Sequence, residues 1–425
     1  MEETLRLQFG TAATTIGTQW LALQEANEVR KTPHVLSFEA KGRVQRQIRA
    51  APKQRDGHTT WDEDVQVYDQ SRAEPVANDG LWSWGRLQEH NLVEVDEFRQ
   101  HMPLHNFYEG HAVSNGGNIE NATLEEAEDR VRTVLEACDQ LTMVQGLVDM
   151  DSSWGGLAHE IMTYIAEECP GVLTVVVGNN WSYPMATDDK DALFRVAPIV
   201  RDRTKVEARN ATVVATALEQ SISTHRGRPA YEMMEGFHSS RKVVEVCASF
   251  PHTTDPTTLL QSIHDGVTNE VRCNNSMNDD PFHNCSLLPS IQQRSGRPVH
   301  EDNTDKTYYR RLRFRGAFTG YPSLRSTIDT YRISTRDIAL HWSDTSPLRL
   351  PPTYRLQMVQ NSSVDAISQL VLSSRTGIYL RTIADLVAKS DKRTLFEFTR
   401  AGMSPDALKE LEATLAGMGD AYFTE

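Results

Sequence analysis

The sequence has few cysteines: five in 425 residues, an odd number with no C-x-x-C pair, which excludes a disulfide framework. Long apolar runs are missing too. None approaches the roughly 18 consecutive residues that suggest a membrane span, so no transmembrane segment is expected and any membrane association would be peripheral. Positive charge is in deficit, with 44 Lys and Arg against 58 Asp and Glu and a net charge of −14. A general nucleic-acid binder needs cations to displace counterions from phosphate, so nucleic acid is not expected as a partner. The start, Met1-Glu2-Glu3, carries neither the basic and apolar regions of a secretory signal nor the Arg-rich, acid-poor character of a mitochondrial presequence, so the chain reads as cytosolic. The first turn, Gly10-Thr-Ala-Ala-Thr-Thr, lacks the G-x-G-x-x-G fingerprint, which counts against a dinucleotide enzyme.

What is present, at the centre of the chain, is a unit of strand, helix and parallel strand. Thr142 to Met150 is largely apolar, Asp151-Ser-Ser-Trp-Gly-Gly is a short Ser/Gly turn, and Leu173 to Val177 is β-branched. Between them Leu157, Ile161, Ile165 and Cys169 recur every four residues with Met162 alongside, while Glu160, Thr163, Glu167 and Glu168 fall on other faces. That stripe predicts a helix packed on a sheet. Ser152 or Ser153 can cap its first turn with a hydroxyl, and Pro170-Gly171 ends it. A strand that feeds such a turn into a helix N-terminus is also the geometry that binds phosphate, because free N–H groups and the positive dipole end converge there.

A similar unit opens the chain. Leu5 to Phe9 alternates like a strand, Gly10 to Thr15 is a turn, and Ile16, Trp20 and Leu23 are spaced for the stripe of a helix. Leu124, Ala127, Val131, Val134 and Leu135 mark another helix, Val213 to Ile222 a further one, and 240–250 a strand. Lys306 to Arg315 interleaves cations and aromatics; a strand with aromatics inward and arginines outward explains this better than RNA binding does. Ser404 and Pro405 start a terminal helix lined by Leu408, Leu411, Leu415 and Met418, which with 382–398 should pack back on the body. The cations of 30–55 read as solvated surface, 75–80 as a linker, and the polar stretch 264–306 as mobile. Within that stretch Cys273, His283 and Cys285 match no common zinc spacing, so no metal site is expected. His159 has no partnered nucleophile and reads as a surface or capping residue; no catalytic residue is assigned.

Several islands in order resemble the tubulins. Leu5 to Gly10 with Thr15 to Trp20 is similar to the opening strand, phosphate loop and first helix. Glu136 to Leu141, Val144-Gln145 and Ile165 to Pro170 resemble the segment around the main phosphate loop, and Val206-Glu207 with Asn210-Ala-Thr the next loop and helix. More narrowly, Lys31-Thr-Pro with Lys41-Gly42, Leu81-Trp82-Ser83, Val214 to Leu218, and Phe398 with Ala401-Gly-Met and Glu410-Leu411 resemble the Misato family of divergent tubulin-like proteins. The resemblance implies an α/β fold of tubulin/FtsZ type. That is a Rossmann-type open sheet with helices on both faces, a second smaller α+β domain and C-terminal helices, divided as 1–115, 116–235, 236–375 and 376–425. It further implies a role in mitochondrial distribution and morphology, on the cytosolic face of the mitochondrion and in the cytoplasm. Links to the cytoskeleton, cell division and tubulin folding follow, with the cytosolic chaperonin, tubulin or mitochondrial outer-membrane proteins as partners.

The departures from tubulin bear on mechanism. Its Gly-Gly-Gly-Thr-Gly-Ser-Gly loop, laid without gaps, falls on Met150 to Gly156, where only Gly156 coincides and Ser153 replaces Thr. Trp154 obstructs close approach of phosphate to backbone N–H groups. Asp149 and Asp151 add like charge, and two such charges about 4 Å apart cost on the order of 4 kcal/mol at an effective dielectric near 20. Gly10, Ser152, Ser153, Gly155 and Gly156 are therefore read as a vestigial phosphate loop, and GTP as disfavoured. No hydrolysis loop is visible; the nearest, Gly236 to Arg241, has neither Asn nor carboxylate in place. The expectation is a protein that binds partners without catalysis; the alternative is an active GTP-binding, filament-forming tubulin relative.

Overall fold

The computed structural model describes residues 3–27, 33–41, 89–99, 106–150, 152–179, 203–222, 243–251, 282–286, 307–316, 338–344, 346–351, 363–364, 366–389 and 396–423. Five strands form one parallel sheet: β1 (Glu3–Phe9), β2 (His34–Lys41), β3 (Leu92–Arg99), β4 (Leu141–Asp149) and β5 (Leu173–Asn179), in the order β3-β2-β1-β4-β5. Helices cover both faces. α1 (Thr11–Ala26) follows β1, α2 (Asn121–Glu136) precedes β4, α3 (Ser153–Glu168) joins β4 to β5, and α4 (Arg203–Ile222) comes after β5. The chain is thus α/β with a doubly wound, Rossmann-like sheet.

The two faces differ in chemistry. Leu5, Leu7 and Phe9 point to the side covered by α2 and α3, where they meet Phe38, Val144, Leu157, Ile161 and Ile165. Those helix residues are the ones that the four-residue spacing selects. On the other side Ile16, Trp20, Met143, Leu147, Ala215 and Leu218 join α1 and α4 to the sheet. Here alternation along β1 buries Arg6 and Gln8, fully enclosed because a parallel sheet is roofed on both faces. The Arg6 guanidinium lies 3.6 Å from the centre of the Trp20 ring and donates twice to Gln145 Oε1 at 3.0 Å. The Trp20 indole N–H donates to the buried carboxylate of Glu219 at 2.8 Å. Burial lowers the Arg6 pKa to about 9, partly opposed by the charge of Glu219.

A second sheet contains β6 (Glu245–Pro251), β7 (Phe282–Ser286), β8 (Thr307–Arg315) and β9 (Ile338–Asp344). After the short antiparallel pair β10 (Leu348–Arg349) and β11 (Ser363–Val364) comes β12 (Ala366–Ser373), and the order is β7-β6-β12-β8-β9. Its Val246 and Leu370 share the apolar cluster of α1 and α4, so these helices lie between the two sheets. That explains why α1 is buried through Gln24 on nearly all sides, well beyond its stripe. Asn27, at the end of α1, accepts from Arg315 at 2.7 Å and from the Arg349 N–H at 3.0 Å, and donates to the Arg349 carbonyl at 2.9 Å.

Three expectations need correction. Arg313 and Arg315 of β8 are buried and not turned to solvent, and Arg315 reaches Asn27 at the end of α1. The polar stretch 264–306 contains β7, which pairs with β6 and carries His283 and Cys285, whereas Cys273 lies outside the described residues. α4 begins at Arg203, not near Val213. The basic run after Lys41, the stretch 75–84 and the segment 236–241 also lie outside the described residues.

The terminal helices are α5 (Ser374–Lys389), α6 (Phe396–Arg400) and α7 (Pro405–Asp420). Ser404 caps α7 by accepting from the Ala407 N–H at 3.0 Å, with Pro405 in the first turn. Leu415 and Met418 pack with Leu372, Leu380 and Tyr422, while Leu411 stays 42% exposed. Tyr422 is fully buried; its hydroxyl accepts from the Val243 N–H at 2.9 Å and donates to the Val243 carbonyl, fixing the C-terminal segment to the approach of β6. No described helix is long and apolar enough to cross a membrane.

Candidate functional site

In a doubly wound sheet, ligands enter where the strand order reverses, outside the carboxyl ends of the strands. Here β1 leads outward to β2, while β3 returns across it to β4, so the crevice lies between Gly10 and the residues after Asp149. Gly10 turns the chain with a φ of 92°, a left-handed value that a side chain would strain. α1 has no capping side chain of its own. Its cap comes from β4: the N–H groups of Ala12 and Ala13 donate to Asp149 Oδ2 and Oδ1 at 3.0 and 2.9 Å. A carboxylate of the chain itself thus holds the place where an anion would meet the helix dipole. A second carboxylate stands nearby, as Thr11 Oγ1 donates to Glu39 Oε2 at 3.3 Å.

The other wall of the crevice is Trp154. Its indole is 5% exposed and packs edge-on against Phe98 at 4.7 Å. A methyl group added to Gly10 would meet Asp149 Oδ2 at 2.5 Å and Trp154 Cδ1 at 2.7 Å, which shows how closely both groups press on the turn. Asp151 lies outside the described residues.

Of the five loop residues read from the sequence, Gly10 and Ser152 come together across this crevice. Ser152 is the N-cap of α3: its Oγ accepts from the Trp154 N–H at 3.3 Å and donates to the Asp149 carbonyl at 2.7 Å. Ser153 is fully buried beneath the first turn. Gly155 and Gly156 serve a different contact. The 3-10 turn Phe107–Gly110 lies against the start of α3, and a methyl group at Gly156 would collide with the Phe107 carbonyl oxygen, one at Gly155 with the Met150 carbonyl oxygen at 2.9 Å. Gly110 is equally constrained by the Ser153 carbonyl oxygen. Sequence reasoning missed this seat, because a glycine needed for packing and a glycine needed for phosphate leave the same mark.

Beside this seat, Glu160 of α3 gathers donors from the segment after the 3-10 turn. Its Oε1 lies 2.7 Å from His111 Nδ1, accepts from Asn115 Nδ2 at 2.9 Å and from the Ala112 N–H at 3.3 Å. Burial alone would raise its pKa, but the bonds from Asn115, His111 and Ala112 outweigh that, and the net direction is downward. His159 is exposed and touches only the rings of Phe107 and His111 among the described aromatic groups. These bonds tie the segment after the 3-10 turn to α3. One group of described residues has the chemistry of a metal site: Glu3, His34 and Cys138, at the opposite ends of the strands.

No protein-family model matches the sequence, and no curated protein matches it.

Proposed function

We propose that this is a tubulin/FtsZ-like protein of Misato type that has retained the architecture and lost the nucleotide chemistry, acting by binding other proteins. The observation that carries this reading is the filled crevice, with the Asp149 carboxylate on the α1 N-terminus and the Trp154 indole against Gly10. A nucleotide phosphate would have to displace a carboxylate already hydrogen-bonded there and would then face the second acid, Glu39. From the resemblance comes the rest: a part in mitochondrial distribution and morphology, with links to the cytoskeleton, cell division and tubulin folding. Work would be on the cytosolic face of the mitochondrion and in the cytoplasm, with the cytosolic chaperonin, tubulin or outer-membrane proteins as partners.

Three measurements test it. Calorimetric titration of the full chain with GTP and magnesium should show no binding tighter than about 10 μM, and native purification should yield protein free of guanine nucleotide. Tight binding, or nucleotide recovered with the protein, would favour the GTP-binding filament former instead. Capture of partners from cytosol, scored for chaperonin, tubulin and outer-membrane proteins, tests the second half; failure of all three to enrich over an unrelated α/β control removes it.

A further inference from the structure

At the amino ends of the first sheet, remote from the crevice, three side chains of different chemistry converge from three segments. Glu3 opens β1, His34 opens β2, and Cys138 lies between α2 and β4. One donor atom from each lies within 4.8 Å of the other two, and Glu3 Oε1 is 3.7 Å from His34 Nε2. We infer that these residues form a zinc site, with Glu3 Oε1, His34 Nε2 and Cys138 Sγ as ligands and water in the fourth position.

The geometry is close to what zinc requires. Ligands at about 2.0–2.3 Å in a tetrahedron stand roughly 3.4 Å apart, so the carboxylate and imidazole, at 3.7 Å, are almost in place, and the thiol, within 4.8 Å of both, closes on them by side-chain rotation. Glu3 is held for the task. Its other oxygen, Oε2, accepts from the Gln140 N–H at 2.9 Å, its own N–H donates to the Gln140 carbonyl at 2.9 Å, and Thr142 Oγ1 donates to its carbonyl at 3.2 Å. Such outer hydrogen bonds orient a ligating carboxylate. Glu3 is almost fully buried while His34 is about one-third exposed, which gives an ion a path inward and room for water.

Charge favours the same conclusion. The Cys138 thiol donates to the Val134 carbonyl at 3.3 Å, so a bare thiolate would sit against helix carbonyl groups and the Glu3 carboxylate. A divalent cation cancels the thiolate and carboxylate together, the imidazole binds neutral, and the thiol proton leaves to solvent. Thiolate with imidazole selects zinc over magnesium or calcium, which prefer oxygen-only shells. Bound there, the ion would clip the starts of β1, β2 and the connection into β4, a structural role independent of the crevice.

The test uses the full chain, stripped with chelator and titrated with zinc alone, then with cobalt as a spectroscopic stand-in. The parent should take up one ion at this site, melt higher with zinc, and show a thiolate-to-cobalt charge-transfer band. Cys138→Ser should abolish that band and weaken zinc binding by more than about tenfold, as should His34→Gln, whereas Cys169→Ser should leave both unchanged. Parent and variants should melt alike in chelator, and should Cys138→Ser melt lower there, His34→Gln, at the more exposed ligand, decides. Zinc binding that survives both substitutions, or a cobalt spectrum without thiolate character, would overturn the inference.

Discussion

Removing the Asp149 carboxylate tests the filled crevice at its most exposed point. Two backbone N–H groups donate to it at 3.0 and 2.9 Å, and α1 has no other side-chain cap. Hydrogen bonds to a charged group contribute about 1.5–3 kcal/mol each, and a carboxylate at a helix N-terminus adds about 0.3–1 kcal/mol. Asp149 is half-buried, so the lower end of each range applies, and Asp149→Ala should cost about 3 kcal/mol. Asp149→Asn keeps one acceptor oxygen and loses the charge; its cost should be roughly half as large. The assay is urea unfolding, read as a lower midpoint at unchanged slope. Sulfate or inorganic phosphate should then stabilise the Ala variant more than the parent, since the vacated N–H groups accept an outside anion. Were both variants within about 0.5 kcal/mol of the parent, or were added anion to act on all three alike, the carboxylate would not be the cap and the reasoning fails.

Three further substitutions probe the surroundings. Gly156→Ala forces a methyl group onto the Phe107 carbonyl oxygen, a backbone atom that cannot swing aside, and should lower stability by about 1–3 kcal/mol in the same urea assay. Arg6→Met removes a fully buried cation whose charge is coupled to the Glu219 carboxylate and should cost about 3–5 kcal/mol, whereas Arg6→Met combined with Glu219→Leu should regain part of that loss. Glu160→Gln should destabilise at neutral pH, with a gap to the parent that narrows in acid. Because the folded carboxyl titrates below its ordinary value of 4.5, its contribution is full above that pH and fades as pH falls below it, which a series of unfolding curves from pH 7 to 3 would reveal.

Periodicity was a sound guide wherever one side of an element faces the core and the other faces water. The stripe Leu157, Ile161, Ile165 is the buried face of α3, and Ser152 and Ser404 cap the helices they precede, because capping is decided within a few residues. The same reasoning failed where both sides are covered. Arg313 and Arg315 alternate with apolar residues as surface arginines do, yet they are buried, and the alternation of β1 gives no sign that Arg6 and Gln8 are enclosed. Glu3, His34 and Cys138 escaped notice for another reason: their convergence is made by strand order, which no local spacing records.

The crevice shows how a fold can keep a ligand-binding architecture while using its parts internally. A helix N-terminus leaves four N–H groups without intrahelical partners, and something must satisfy them. At α1 a nucleotide phosphate or a carboxylate from β4 could do so, and the chain carries the carboxylate. At α3, Ser152 supplies the cap, while the glycines that would admit a phosphate admit the Phe107–Gly110 turn. At these points the chain's own groups already take the hydrogen bonds, so an entering phosphate would have to displace them while losing its hydration and meeting Asp149 and Glu39 as like charges. Single replacements in this crevice should therefore change stability more readily than they confer nucleotide affinity.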